Sequence, residues 1–223
     1  MLSTTLTKLS GKSYIKFRFE VYKMSTTENK VQFNLKNVHY AVLKEAGSAD
    51  TAPSWNTPVH VPGAVNINLS DQGSIEPFYA DGIVYFRSIN GEGSYKGDLE
   101  MARFPDQMHQ DIWGAILSTA NKVLTQKVRG TTTAFALLFQ IDGDANNDLY
   151  VLYNCAGTRP AIAGATKTGS TTPQTQTSSI NADPLPNGLV FARTTRETPD
   201  TVRTNWFKSV YIDSEDLNQT PTE

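Results

Sequence analysis

The densest run of oxygen-bearing side chains in the sequence is Asp142-Gly143-Asp144-Ala145-Asn146-Asn147-Asp148, whose oxygens fall at alternate positions as they do in a calcium loop. The run departs from the EF-hand pattern where that pattern is least tolerant. Asn147 stands where the sharp-turn glycine belongs, and Tyr153 where the bidentate glutamate belongs. Strand-like runs on both sides make a polar turn the better reading. His39, His60 and His109 are scattered, with no HExxH or similar spacing, so no zinc site is expected. Asp98 and Glu100 lie two apart on one strand face, and Glu76 and Asp81 flank a turn. Paired carboxylates that cleave glycosides usually come from different elements facing a cleft, so these read as solvated neighbours. No GxSxG, P-loop or dinucleotide fingerprint is present, and Gly91-Glu92-Gly93 is followed by no helix that could cradle a phosphate. Cys155 is the sole cysteine, so no intrachain disulfide can form, and in its strand-like run it reads as a small buried hydrophobe. No catalytic residue, cofactor site or metal ligand is therefore expected, and the chain is not read as an enzyme.

The elements around these residues are mostly strands. Val65-Asn66-Ile67-Asn68-Leu69-Ser70 and Tyr95-Lys96-Gly97-Asp98-Leu99-Glu100-Met101 alternate apolar and polar residues at period two, giving each one face to bury and one polar face. Phe78-Tyr79-Ala80-Asp81-Gly82 reads as a turn carrying aromatics. Strands are predicted near 31–36, 38–44, 64–70, 83–88, 94–102, 122–128, 133–141, 149–155, 174–180, 188–194 and 207–212. The run Ala134-Phe135-Ala136-Leu137-Leu138-Phe139 is apolar at every position and should be central. One helix is predicted to start at Pro105-Asp106, with Met108, Ile112 and Ile116 on one stripe and Trp113 beside them. Many short strands separated by Gly, Asn, Asp and Pro indicate a mainly β chain, an antiparallel β-sandwich or barrel with one flanking α-helix.

The chain has 223 residues, enough for one domain with a real core, and 39% of them are hydrophobic. Its formal charge of −2 is unevenly spread. Residues 1–23 hold five of the 20 cations (Lys8, Lys12, Lys16, Arg18, Lys23) and one of the 22 anions (Glu20), which leaves fifteen against twenty-one, or −6, for the remainder. An acidic body gives no footprint for gripping nucleic acid and would discourage DNA from sticking. No window is apolar enough for a membrane-spanning helix, and cations interrupt the first 23 residues where a signal peptide would be apolar. A product made in the cytoplasm is expected. Residues 1–30 are read in two ways. They are an arm able to add a strand to a neighbour, since Tyr14 to Val21 alternates, or an extension ahead of a true start at Met24. Residues 31–212 form the main β domain, and 213–223 a flexible acidic tail.

The order of several segments resembles one known family. PGAVNINL leads into a polar turn, then FYADGIVYF, then YKGDLEMA ahead of Pro105-Asp106. VQFNLKNVHYA at 31–41 is similar to the family's opening strand pair, and LYNCAGTRP at 152–160, PQTQT at 173–177 and NWFKSVY at 205–211 follow in the family's order. By the joint order and spacing of these segments the chain resembles the major tail proteins, or tail tube proteins, of long-tailed phages that infect Gram-positive bacteria.

That resemblance implies a structural virion protein, made in the host cytoplasm, that self-assembles into stacked hexameric rings forming the tail tube through which DNA reaches the host. It implies a tape measure protein, a tail terminator and distal tail proteins as partners, with DNA passing through without specific binding and no membrane involved. Glu76, Pro77, Phe78, Tyr79 and Asp81 are expected at the subunit interface, with core packing as the other reading of Phe78 and Tyr79. The stretch from Glu45 to Pro62, with Trp55, Pro58 and His60, is expected to contact the next ring, the other reading being a surface loop with Trp55 folded over the core. Asn66, Asn68, Lys96, Asp98 and Glu100 are candidates for the lumen or for a solvated outer face. The rival function is a β-sandwich carbohydrate- or receptor-binding module, using Trp55, Tyr79 and Tyr85 as sugar platforms.

Overall fold

The computed structural model describes residues 5–9, 12–16, 28–48, 51–90, 93–128, 132–166, 169 and 173–213. The expected acidic tail beyond Asp213 and much of the N-terminal arm lie outside the described residues. In chain order the elements are β1 (Thr5–Leu9), β2 (Lys12–Lys16), β3 (Gln32–Glu45), β4 (Ser54–Trp55), β5 (Val59–His60), β6 (Ala64–Asp71), β7 (Ser74–Ala80), β8 (Ile83–Asn90) and β9 (Tyr95–Met101). There follow α1 (Asp106–Asp111), β10 (Ile116–Leu117), β11 (Leu124–Thr125), β12 (Phe135–Gly143), β13 (Asn147–Gly157), β14 (Gln176–Ala182), β15 (Phe191–Arg193) and α2 (Asp200–Asn205). The fold is mainly β and antiparallel, as the strand pattern predicts, with two short helices.

One nine-stranded sheet organises the molecule in the order β4-β3-β12-β13-β14-β9-β6, with β5 also on β3 and β15 also on β13. Its central strand β12 is buried on both faces. Phe135, Leu137 and Phe139 join an inner cluster with Tyr40, Leu99, Met101, Leu152 and Ile180, while Ala136 and Leu138 join an outer cluster with Ala41, Val151, Tyr153 and Trp206. Leu35 of β3 and Ile67 and Leu69 of β6 pack on the same inner cluster, so the sheet curls around it. The bend is written into β3. Asn34 and Asn37 have φ of 65° and 54°, a region Asn tolerates better than most residues, and each sits where the β3–β12 register shifts. Their amides donate across the bulges to Asp142 Oδ2 (2.8 Å) and Gln140 Oε1 (2.9 Å).

Helix α1 closes one side of the inner cluster. Met108, Ile112 and Trp113 are buried there, Phe104 meets Trp113 edge-on at 5.6 Å, and the Trp113 indole donates to the Gly157 carbonyl at 2.9 Å. The helix is shorter than its stripe suggests. It ends at Asp111, and Ile116 is exposed in β10 rather than packed on the sheet. The outer cluster is covered by the chain after α2, an element the sequence pattern does not announce. Trp206 and Tyr211 stack at 5.3 Å, and the Trp206 indole donates to the Tyr150 carbonyl at 3.3 Å. The expected strand at 207–212 is irregular cover instead.

Trp206 is 2% exposed. Truncating a buried tryptophan costs about 3–5 kcal/mol, so Trp206→Ala should lower the urea-unfolding free energy of the full chain by that amount. A loss under about 1 kcal/mol would mean that the C-terminal cover is not packed as described.

Candidate assembly surface

Strands β6 and β9 pair in the main sheet, and the chain between them continues as a second ribbon. There β7 pairs with β8 and with no other described strand. Asp81 and Gly82 make the two-residue turn at its tip, both with positive φ (52° and 78°), the conformation that Asp-Gly adopts most readily between antiparallel strands. The sequence pattern gives the turn but not strand β7, because Pro77 interrupts it and apolar residues fall on both faces. Phe78 pairs opposite Phe86 on one face and Tyr79 opposite Val84 on the other, with a register shift between Phe78 and Tyr79.

A two-stranded ribbon has no interior, and alone it is marginal in water. Accordingly its large side chains are bare: Tyr85 is 74% exposed, Ile83 64%, Tyr79 61%, Phe86 61% and Phe78 60%. Of the two readings of Phe78 and Tyr79, core packing within one chain is therefore the one the structure does not bring about. Glu76 and Pro77 stand lower on β7 and are also exposed, as is Asp81. A contiguous apolar surface of this kind marks a place where something else binds.

The polar residues of β6 and β9 gather on one sheet face. Register places Asn66 opposite Glu100 and Asn68 opposite Asp98, and β14 extends the row with Thr177 opposite Glu100 and Ser179 opposite Asp98. The Ser179 hydroxyl donates to Asp98 Oδ1 at 2.7 Å, and the Thr175 hydroxyl to Glu100 Oε1 at 2.5 Å. Leu99 and Ile67, one residue away, turn to the inner cluster. Asn66, Asn68, Lys96, Asp98, Thr177 and Ser179 are exposed, so this face of three strands is hydrophilic and, among the described residues, has no layer over it.

The stretch between β3 and β6 is more ordered than a loop. Trp55 in β4 pairs opposite Leu43, its indole donates to the Tyr153 carbonyl at 3.1 Å, and its ring lies 5.8 Å from that of Tyr153. The indole is thus turned onto its own sheet. His60 in β5 pairs opposite His39, whose ring stacks on Phe207 at 4.5 Å and lies 4.9 Å from His60. Desolvation holds the His39 pKa below its ordinary value. Pro58, half-buried, precedes β5.

The chemistry-bearing residues are engaged within the fold. Asn29 braces the turn between β12 and β13: its side-chain oxygen accepts from the Ala145 and Asn146 amides, and its nitrogen donates to the Asn146 carbonyl and to Asp148. No spacing rule links Asn29 to a turn more than a hundred residues away, so the sequence pattern misses it. A Cβ at Gly143 would collide with the Asn29 amide and push it out of these hydrogen bonds. Desolvation pushes the Asp142 carboxyl upward, but Lys36 at 2.6 Å, Gln140 and Asn34 outweigh it and hold the pKa below its ordinary value. Cys155 is fully buried, and desolvation raises its thiol pKa well above the usual range. Among the described residues no group of three or more His, Cys, Asp or Glu is placed to hold a metal ion. No described helix is long and apolar enough to cross a membrane.

No protein-family model matches the chain, and no curated protein matches it. A solved structure titled as the cryo-EM structure of the anti-feeding prophage cap, the AFP tube terminating cap, aligns with 78% of this chain and 99% of its own at a TM-score of 0.38 and 14% identity. A likeness this slight carries no argument about function.

Because the hairpin side chains contribute little to the single chain, the double variant Phe78→Ser, Tyr85→Ser should keep its melting temperature within about 2 °C of the parent in dilute solution. A melting temperature lowered by about 8 °C or more would place these rings in the chain's own core.

Proposed function

We propose that this chain is a structural subunit that associates with copies of itself, building the stacked six-fold rings of a phage tail tube through which DNA passes to the host. The observation that carries the proposal is the β7–β8 hairpin, whose apolar side chains are exposed and whose outer edges pair with no other strand among the described residues. Open edges and bare aromatics are an aggregation hazard unless a designated partner completes them, and further copies of the chain supply that partner in a ring.

The hydrophilic face of β6, β9 and β14 fits a lumen. It presents amides, hydroxyls, the Asp98 and Glu100 carboxylates and the Lys96 ammonium in place of apolar side chains, a balance of one negative charge within an acidic body. Such a wall repels a polyanion and lets it slide. In this reading Glu76, Pro77, Phe78, Tyr79 and Asp81 make contacts between subunits, and the β4–β5 region with Pro58 and His60 meets the next ring. The role requires no catalysis and no cofactor. A tape measure protein, a tail terminator and distal tail proteins would bound the tube, and the assembled protein would reside in the virion. The resemblance of the ordered sequence segments to tail tube proteins, which extends to segments outside the hairpin, supports the same reading.

The sugar-binding alternative draws on the exposed rings of Tyr79 and Tyr85. Its third platform, Trp55, lies on a different element with its indole bonded to Tyr153. Negative-stain electron microscopy of the purified full chain over a range of concentrations separates the two. Rings of six-fold symmetry or tubes are expected, and a compact monomer at every concentration that binds glycans would contradict the assembly reading.

A further inference from the structure

The chain that carries the bare hairpin also carries an apolar cleft. Strand β13 pairs with β14 only over Cys155–Gly157, and at Tyr150–Leu152 its partner is the short strand β15. Below Cys155, therefore, β9 and β6 have no hydrogen-bonded continuity with β13, and a cleft of about 810 Å³ opens between them. Its walls include Ile67 and Leu69 of β6, Tyr95 of β9, Phe139 of β12, Tyr150 of β13 and Phe191 of β15. The rings are set in fixed pairs: Phe139 stacks on Tyr150 at 5.1 Å with planes 4° apart, and Tyr95 meets Phe191 edge-on at 5.5 Å. Among the described residues lining the cleft, Arg193 is the charged one.

The hairpin has the chemistry to fill it. Its rings, Phe78, Tyr79, Tyr85 and Phe86, all lie in the last rungs, whereas the lower part mixes Glu76, Arg87 and Ser88 with the exposed Ile75. Apolar character at the tip suits insertion end-first. Aromatic side chains bury about 150–250 Å² each from full exposure, and Phe78, Tyr79, Tyr85 and Phe86 are 60–74% exposed, so these rings alone offer roughly 500 Å² of the ~800 Å² per partner of a stable interface. Arg193 is already engaged within its own chain, by a hydrogen bond to the Tyr150 side chain and by the nearby Asp148 and Glu28 carboxylates, so the apolar walls are what the cleft offers a second copy. A chain does not fill its own cleft, since its tip residues are exposed while the cleft flanks the hairpin's base at Leu69 and Tyr95.

We propose that the hairpin tip of one copy, Phe78 to Phe86, seats in the apolar cleft bounded by β6, β9, β13 and β15 of a second copy. This rests on the self-assembly reading above and names the receiving surface. Donor and acceptor are different surfaces, so the contact is heterologous: each copy gives one tip and receives one, and the series closes as a ring if the rotation allows.

Mixed disulfide formation tests it, because Cys155 is buried and leaves introduced thiols as the reactive ones. One full-length variant carries Tyr85→Cys at the tip and another Thr195→Cys at the cleft, and they are mixed under mild oxidation while sedimentation reports assembly. A cross-linked dimer is expected from the mixture and from neither variant alone, and the doubly substituted chain should give a ladder of multimers. Assembly without the mixed cross-link, or equal cross-linking of the Tyr85→Cys variant with itself, would overturn the docking while leaving self-assembly intact. A protein that stays monomeric at every concentration would overturn both.

Discussion

Burial of β12 on both faces is the constraint from which the other layers follow. Phe135, Leu137 and Phe139 require a cover on one side and Ala136 and Leu138 on the other. The first demand is met by the curl of the sheet together with α1 and Trp113. The second is met by Trp55 and the chain beyond α2, with Trp206 at its centre. That arrangement uses the apolar faces of β3, β9, β13 and β14, and it leaves the polar face of β6, β9 and β14 with no layer over it.

The hairpin stands at the opposite limit. Two strands cannot bury their own side chains, yet the sequence puts Phe78, Tyr79, Ile83, Tyr85 and Phe86 there. Polar substitution at these positions would have cost the single chain little, since surface changes are usually within about 0.5 kcal/mol. In the proposed assembly these apolar residues are the ones that contact another surface. The cleft beside β15 has the converse character, a set of fixed rings with no side chain of its own from the hairpin above it.

The parts of the fold legible in the sequence are those where one local rule suffices. Alternation exposes β6 and β9, and an unbroken apolar run exposes β12. Asp81-Gly82 exposes the hairpin turn. Strand β7 is illegible because a ribbon apolar on both faces has no period, and Pro77 argues against a strand. Trp55 is ambiguous for a different reason: nothing near it in sequence says that Tyr153 will lie beneath it. Helix α1 is recognisable at its Pro105-Asp106 start, but its end depends on Trp113 turning inward to reach Gly157. Long-range partners such as Asn29 with the turn at Asn146 carry no signal in a single sequence, since the match exists only once the sheet has formed.

Hydrogen–deuterium exchange of the full chain, read segment by segment at concentrations below and above the onset of association, tests the central claim most directly. The account predicts that the amides of residues 74–90 exchange rapidly in the dilute protein and become protected on association, while β12 is protected throughout. Association that protects other segments and leaves 74–90 as open as in the dilute chain would contradict it.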